Sequence, residues 1–137
     1  MIEFIYYGEI KGKGRPRFRR CGKFVRTYTD ESTQDYEMSL KEAYINAKQE
    51  TFFNEEPLEA EIEIYQAVPK STSKKKTQEM LDGLIRPTKK PDVDNILKSV
   101  FDSLNKVAYG DDTQIVSVKA VKHYAINNYM VVRIKKC

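Results

Sequence analysis

The sequence predicts one α/β (α+β) domain over residues 1–137, in which helices pack on a mixed β-sheet. The first observation behind this prediction is that strand-like alternation and helix-like periodicity follow one another along the chain. The second is the length, because chains divide into separate domains only beyond roughly 250 residues. The third is the composition, with 40% apolar and 32% charged residues, which excludes a low-complexity chain and argues against full disorder.

The N-terminal part of the chain carries alternating strand and helix signals. Apolar residues at every second position predict a strand at residues 2–7, and residues 21–23 predict the turn of a short hairpin. Apolar residues at helical spacing predict a helix over residues 33–50. Alternation of apolar residues with glutamates predicts a strand at residues 58–64 with one face toward solvent. Residues 73–84 fit either a short helix or an ordered loop.

The C-terminal part predicts one long helix followed by two strands. Apolar residues fit the helical period throughout residues 92–108, and Gly110 lies where a helix-ending glycine is expected. Residues 114–124 and 129–135 have the pattern of strands. Asn127-Asn128 lies between them and tolerates positive φ, so we predict that the two strands form a β-hairpin.

Charge is segregated along the chain, although the net charge is only +4. Residues 11–26 carry eight basic residues and no acidic one, whereas residues 30–63 carry eleven acidic residues and two lysines. Basic residues dominate again over residues 70–90 and 113–137. Segregation of this kind creates strong local fields, although a solvated face or a flexible tail would also produce it.

Composition also excludes several classes of protein. Cys21 lies in a basic segment and Cys137 at the terminus, which argues for a reducing compartment and against a disulfide framework or a zinc site. With His123 as the one histidine, a His-rich metal site is excluded. No apolar run approaches the ~20 residues of a membrane span, and we expect residues 1–7 not to be a signal peptide because Glu3 and Gly8 frame them. We therefore expect a cytoplasmic protein with no membrane partner.

Two pairs of aspartates flank the long predicted helix. Asp92 and Asp94 lie where the chain enters the helix, and Asp111-Asp112 lies in the loop beyond it. Helix capping and turn formation are the ordinary explanations for these two pairs. Several aspartates between basic segments also fit the oxygen ligands that Mg²⁺ prefers, and therefore phosphodiester hydrolysis. The residues by themselves leave both explanations open.

The polar face of the same helix extends this pattern. Because a helix turns ~100° per residue, four polar residues fall within about 80° of one another, opposite the apolar stripe. They are Asp94, Lys98, Asp102 and Asn105. An ion pair between Asp94 and Lys98, worth ~0.2–0.5 kcal/mol, would explain their spacing without a metal.

Two stretches of the chain resemble the RusA-type Holliday junction resolvases. The first is Lys13-Gly14-Arg15-Pro16-Arg17-Phe18 near the N-terminus. The second begins with Asp92-Val93-Asp94-Asn95 and continues with Lys98, Phe101-Asp102 and Asp111-Asp112-Thr113-Gln114-Ile115. The resemblance covers most of the chain, and it is specific because these pieces rarely coincide in this order.

The resemblance implies an endonuclease that depends on Mg²⁺, with Mn²⁺ as a substitute. Asp92, Asp94 and Asp112 match the acidic residues that bind the metal and position the attacking water. Lys98 matches an essential lysine, whose charge would neutralise the scissile phosphate or hold the carboxylates in register. The neighbouring motif residues that could support these ligands are Asn95, Asp102 and Asp111. The basic residues expected to contact DNA are Lys13, Arg15, Arg17, Arg19, Arg20, Lys74, Lys75, Lys76, Lys89 and Lys90.

The resemblance also implies a homodimer that acts on a four-way DNA junction without a nucleotide cofactor. Resolution requires matching nicks in two strands of like polarity, and a C₂ dimer places identical sites on both. Such enzymes serve DNA recombination and repair, and members of the family often belong to phages or prophages. Two alternatives stay open: a branched-DNA-binding protein without catalysis, and a metal-dependent nuclease that acts on flaps or forks.

Overall fold

The computed structural model describes residues 1–13, 17–28, 31–47 and 51–137. The strands are β1 (Ile2–Tyr7), β2 (Arg17–Cys21), β3 (Phe24–Tyr28), β4 (Leu58–Ala67), β5 (Ile115–Ala125) and β6 (Tyr129–Lys136). The helices are α1 (Glu31–Asn46), α2 (Lys74–Leu81) and α3 (Val93–Leu104), and Asp112–Gln114 forms a 3₁₀ turn. Among the helices of these ranges, none is both long and apolar enough to span a membrane. The predicted mixed α+β class is confirmed, and residues 73–84 contain a short helix.

One mixed sheet carries the fold. Four of the described strands form it in the order β1-β6-β4-β5, with β4 antiparallel to β6 and parallel to β5. The alternation predicted for β4 places Leu58, Ala60, Ile62 and Ile64 on a buried face and the glutamates on the opposite face. Helices α1 and α3 pack on the buried face and complete the core. Helix α3 packs on the sheet through its apolar face, and its polar face is directed away from the core.

The predicted hairpin between the last two strands is wrong. Strands β5 and β6 are both hydrogen-bonded to β4, which lies between them. Residues 126–128 therefore cross the end of β4, over roughly 10 Å at ordinary strand spacing. Asn128 Oδ1 accepts a hydrogen bond from the Ala67 amide at 2.7 Å, which attaches this connection to β4. Strand β4 thus has neighbours on both of its backbone edges, and one of its faces is buried in the core.

Helix α3 ends at Leu104, one turn before the predicted end at Ala108. Lys106 adopts a left-handed conformation with φ of 66°, and its amide donates to the Tyr109 carbonyl at 2.8 Å. The residues up to Ala108 keep helical spacing because they still pack on the core. Gly110 does not end the helix: a Cβ there would lie 2.9 Å from a backbone carbonyl oxygen, so the position requires glycine.

Candidate active site and DNA-binding surface

Asp92 and Asp94 lie on either side of the first residue of α3. Asp92 has the extended backbone of an N-cap, with φ −68° and ψ 151°, and its carbonyl accepts from the Ile96 amide at 3.0 Å. Its carboxylate makes no capping hydrogen bond to the described first turn of the helix. Capping therefore does not account for this side chain. Both aspartates are exposed, so a ligand can reach their carboxylates.

The second pair divides into one structural aspartate and one that does not cap. Asp111 caps the 3₁₀ turn, because its carboxylate accepts from the Thr113 amide at 3.3 Å and the Thr113 hydroxyl at 2.6 Å. The Gln114 side chain accepts from the Asp111 amide at 2.9 Å and donates to two backbone carbonyls before β4. Turn formation therefore explains Asp111. The adjacent Asp112 is half-buried, and its carboxylate is not the one that caps the turn.

Asp112 and Asp102 form an acidic pair between the 3₁₀ turn and α3. Burial raises the pKa of the Asp112 carboxyl, and the charges of Asp102 and Asp111 and a hydrogen bond with Asp102 raise it further. Two adjacent carboxylates disfavour each other's ionised form unless a cation is present. The pair therefore has the electrostatic character of a cation-binding site.

Lys13 approaches this acidic pair from the N-terminal segment. Its ammonium is ion-paired with Glu37 of α1 and lies 3.4 Å from the Asp102 carboxylate. Burial lowers the pKa of Lys13, but the hydrogen bond with Glu37 and the charges of Glu37 and Asp102 outweigh burial and raise it. Its amide also donates to the Asn95 carbonyl at 3.0 Å. The structure thus places Lys13 against acidic side chains of the protein, although the sequence predicts a DNA contact.

The same N-terminal segment packs tightly on the start of α3. A Cβ at Gly12 would lie 2.9 Å from the Cβ of Asn95 and 3.3 Å from that of Pro91. Such distances are closer than side chains tolerate, so the absence of a side chain at Gly12 permits this contact. The segment that carries Lys13 is therefore held directly against the residues that precede and follow the first aspartate pair.

The structure does not gather all of the predicted metal ligands into one cluster. Within the ranges that it describes, no three His, Cys, Asp or Glu side chains lie close enough together to hold a metal ion. Mg²⁺, however, is commonly bound through one or two carboxylates, with waters and substrate phosphates completing its shell. The Asp102–Asp112 pair fits that requirement by its oxygen donors and its charge. The ligand set Asp92, Asp94 and Asp112 stays a prediction.

A tyrosine beneath the site connects its two acidic segments. Tyr109 is fully buried, and its hydroxyl donates to the Phe101 carbonyl at 2.6 Å. Burial raises the pKa of this phenol, and the charges of Asp112, Asp102 and Asp111 add to the effect. The loop that carries Asp112 is thereby attached to α3, which carries Asp102.

Two exposed groups of lysines lie in the part of the chain that leads to Asp92. Lys74, Lys75 and Lys76 form the first turn of α2, and Lys89 and Lys90 lie shortly before α3. The first turn of a helix disfavours positive charge because of the helix dipole. Three lysines at this position are therefore unfavourable for the isolated protein but suitable for an anionic partner. All five lysines are exposed, and their contact with DNA stays a prediction.

Strands β2 and β3 form a separate two-stranded ribbon with an exposed basic and aromatic surface. Phe18 is 73% exposed and Phe24 is 76% exposed, which is unusual for phenylalanine. Arg19 and Arg20 are exposed on the same ribbon. Of the other predicted contacts, Arg17 is described through its backbone in β2, and Arg15 lies outside the described residues. The ribbon therefore presents arginines beside unburied aromatic rings.

Sequence reasoning missed three residues whose side chains hold segments next to the candidate active site: Glu37, Arg86 and Lys122. Glu37 holds Lys13. Lys122 of β5 donates to two backbone carbonyls just before Asp92. Burial lowers the pKa of Lys122, whereas the nearby Asp92 carboxylate acts in the opposite direction. A signal existed for Lys122, because a lysine in phase with the apolar residues of a strand is expected to be partly buried and therefore paired.

A known protein family and a known bacterial protein match most of this chain. The family described as "Endodeoxyribonuclease RusA" matches residues 8–135, which is nearly the whole chain. "Uncharacterized protein YqaN" of Bacillus subtilis (strain 168) is 38% identical over 127 residues, covering 90% of this chain and 88% of that protein. The matched range includes both acidic pairs, Lys98 and the basic ribbon. The chain therefore belongs to the RusA endodeoxyribonuclease family, whose nucleases are of the Holliday junction resolvase type.

Proposed function

We propose that this protein is a Mg²⁺-dependent endonuclease that resolves four-way DNA junctions by paired symmetric nicks, with Mn²⁺ as a substitute ion. The observation that carries the proposal is the half-buried Asp102–Asp112 pair. Burial and the charge of Asp102 raise the pKa of the Asp112 carboxyl, and an exposed aspartate pair opens the helix that carries Asp102. A divalent cation would relieve the repulsion within the pair. A polyanionic substrate would then approach an acidic site whose charge is largely neutralised.

The proposed ligands are Asp92, Asp94 and Asp112, with Asp102 supporting Asp112. The bound ion would stabilise negative charge on the phosphodiester and lower the pKa of a water molecule. Lys98, exposed on α3 one turn after Asp94, would present its charge to the scissile phosphate. Asp111 would act indirectly, because its capping bonds hold the turn in which Asp112 lies.

The basic surfaces would hold the arms of the junction. Lysines 74–76 and 89–90 would contact phosphates near the site, and the β2–β3 ribbon would supply arginines and aromatic rings. Phe18 and Phe24 are suited to stacking on unpaired bases because both rings are exposed. Since a four-way junction has approximate two-fold symmetry, we propose that two copies of the chain act together, one on each of two strands.

Cleavage of a synthetic immobile four-way junction tests the proposed function directly. We expect paired symmetric nicks in Mg²⁺ and none in EDTA, because the charge of the ion is needed at the phosphodiester. Linear duplex of the same sequence is the control and should stay intact at the same salt concentration. Tight junction binding without nicks, in both Mg²⁺ and Mn²⁺, would contradict the proposal and indicate a binding protein. Equal rates on flaps or forks would contradict the junction specificity alone.

The ribbon makes a separate prediction about salt dependence. The double substitution Arg19→Ala/Arg20→Ala should weaken junction binding and reduce the slope of log Kd against log[salt] by up to about 2. Each lost phosphate contact lowers that slope by ~0.9 for duplex DNA. The matched control is Lys135→Ala/Lys136→Ala, which removes the same charge from the end of β6, where these lysines pair with Glu59 and Glu56. An equal change of slope in both variants would indicate a non-specific effect of net charge.

A further inference from the structure

The segment that leads into Asp92 is attached to strand β5 by three hydrogen bonds. Lys122 Nζ donates to the Lys89 carbonyl at 2.8 Å and to the Pro91 carbonyl at 3.0 Å. From the other direction, Arg86 Nη1 donates to the Lys122 carbonyl at 3.0 Å. Residues 86–91 therefore run beside β5, the edge strand of the sheet, and are bonded to it at both ends of the segment.

Lys122 is placed where a lysine needs partners. Its register partner in β4 is Ile64, which is fully buried, so Lys122 lies on the face of the sheet that carries the core. The side chain is half-buried. An ammonium in such a position is costly unless its N–H groups are satisfied, and the two carbonyls accept from two of its three donors. The hydrogen bonds to the carbonyls of residues 89 and 91 thus offset the cost of placing the Lys122 ammonium at this half-buried position.

Hydrogen bonds hold the backbone on both sides of Asp92. Its carboxylate makes no capping hydrogen bond to the described helix start, so the side chain does not fix its own backbone. On the C-terminal side, the Asp92 carbonyl accepts from the Ile96 amide at 3.0 Å. On the N-terminal side, the adjacent Pro91 carbonyl is held by Lys122. The peptide that bears Asp92 is therefore fixed between α3 and β5.

We propose that Lys122 is a positioning residue that holds Asp92 in its place for metal binding, an inference that rests on the proposed function. This role requires that the tether, meaning the two hydrogen bonds from Lys122 to the carbonyls of residues 89 and 91, affects metal binding more than the positive charge of Lys122 does. The ammonium lies close enough to Asp92 to attract its carboxylate, so it could instead compete with a metal ion. The two roles predict changes of opposite sign: removing a tether weakens metal binding, whereas removing a competitor strengthens it.

The test compares Lys122→Met, Lys122→Arg and Lys119→Met with the unsubstituted full-length protein. Lys119 is a matched control, because it lies on the same strand, is exposed and points to the opposite face. Mn²⁺ binding to the DNA-free protein is measured by electron paramagnetic resonance, and the Mg²⁺ concentration for half-maximal junction cleavage is measured in parallel. Exchange of the Ile96 amide reports on the first turn of α3 without any metal or DNA. Junction binding in EDTA and the urea midpoint report on general damage.

For Lys122→Met we expect Mn²⁺ affinity to fall at least tenfold and the half-maximal Mg²⁺ concentration to rise by a similar factor, as for other residues that orient metal ligands. Exchange of the Ile96 amide should become about tenfold faster, because the first turn loses its attachment. Lys122→Arg should restore part of both effects, since a guanidinium can also donate to carbonyls. Lys119→Met should change none of these quantities, and junction binding in EDTA should stay within twofold.

Three results would overturn the inference. Unchanged Mn²⁺ affinity and Ile96 exchange in Lys122→Met would show that no tether operates, and higher Mn²⁺ affinity would identify Lys122 as a competitor. A general structural role would be indicated if metal affinity and junction binding in EDTA fell by the same factor and the urea midpoint also fell. Failure of the unsubstituted protein to cleave would instead overturn the proposed function, while the amide exchange of Ile96 would still test the tether.

Discussion

Asp92→Asn is expected to reduce junction cleavage by about a thousandfold while junction binding in EDTA is unchanged. A metal ion supplies several kcal/mol of transition-state stabilisation, and a loss of about 4 kcal/mol corresponds to roughly a thousandfold in rate. Asparagine keeps the shape of aspartate but removes the charge that would hold the ion. Single-turnover cleavage of the immobile junction in Mg²⁺ measures the effect.

Asp92→Asn is expected to change the rate of cleavage without changing the stability of the protein. Asp92 makes no capping hydrogen bond to the described helix start, and asparagine is as good an N-cap as aspartate, so stability should be unaffected. Asp82→Asn is the control: Asp82 is also exposed and accepts a bond from Gln78 that an asparagine oxygen can accept as well. Asp94→Asn should behave like Asp92→Asn. Retained cleavage in both of these variants would mean that the proposed ligands are wrong.

Tyr109→Ala is expected to destabilise the protein by about 3–5 kcal/mol. The side chain is fully buried, so its removal loses burial and leaves a cavity. Tyr109→Phe should cost about 1–3 kcal/mol, because it leaves the part-buried Phe101 carbonyl without the hydroxyl that donates to it at 2.6 Å. Urea denaturation measures both values as shifts of the midpoint at constant m.

Phe24→Ala is the control for Tyr109, since it removes an aromatic ring that is 76% exposed. Its expected effect on stability is within about 0.5 kcal/mol. Similar urea midpoints for Phe24→Ala and Tyr109→Ala would contradict the packing of the loop after α3. Because Tyr109 joins the segments that carry Asp102 and Asp112, the folded fraction of Tyr109→Ala should also cleave more slowly.

The local pattern of apolar residues was sufficient to predict most of the helices and strands. The alternation in β1 and β4 and the helical spacing of α1 and α3 predicted these elements because each element buries one of its faces. The pairing of strands was not predictable in the same way. Asn127-Asn128 has the composition of a hairpin turn, yet β4 lies between the two strands that this turn joins. Strand pairing depends on contacts between residues far apart in the chain, which a turn signal does not contain.

The end of α3 shows the same limit on a smaller scale. The residues up to Ala108 keep the helical period because they belong to the core, and not because they are helical. The left-handed conformation of Lys106 allows them to pack after the helix has ended. Burial and backbone conformation are separate properties, and the periodic pattern reports the first.

By itself, the sequence determined which residues were available for the site: two aspartate pairs at the ends of one helix, Lys98 on its polar face and basic segments on both sides. Tertiary structure decided how they are used. It made Asp111 a cap, paired Asp112 with Asp102, and turned Lys13 toward Glu37. It also brought Lys122 to the residues before Asp92. The physical reason is that charge and hydrogen-bond capacity belong to a residue, whereas partners and desolvation depend on what the fold places beside it.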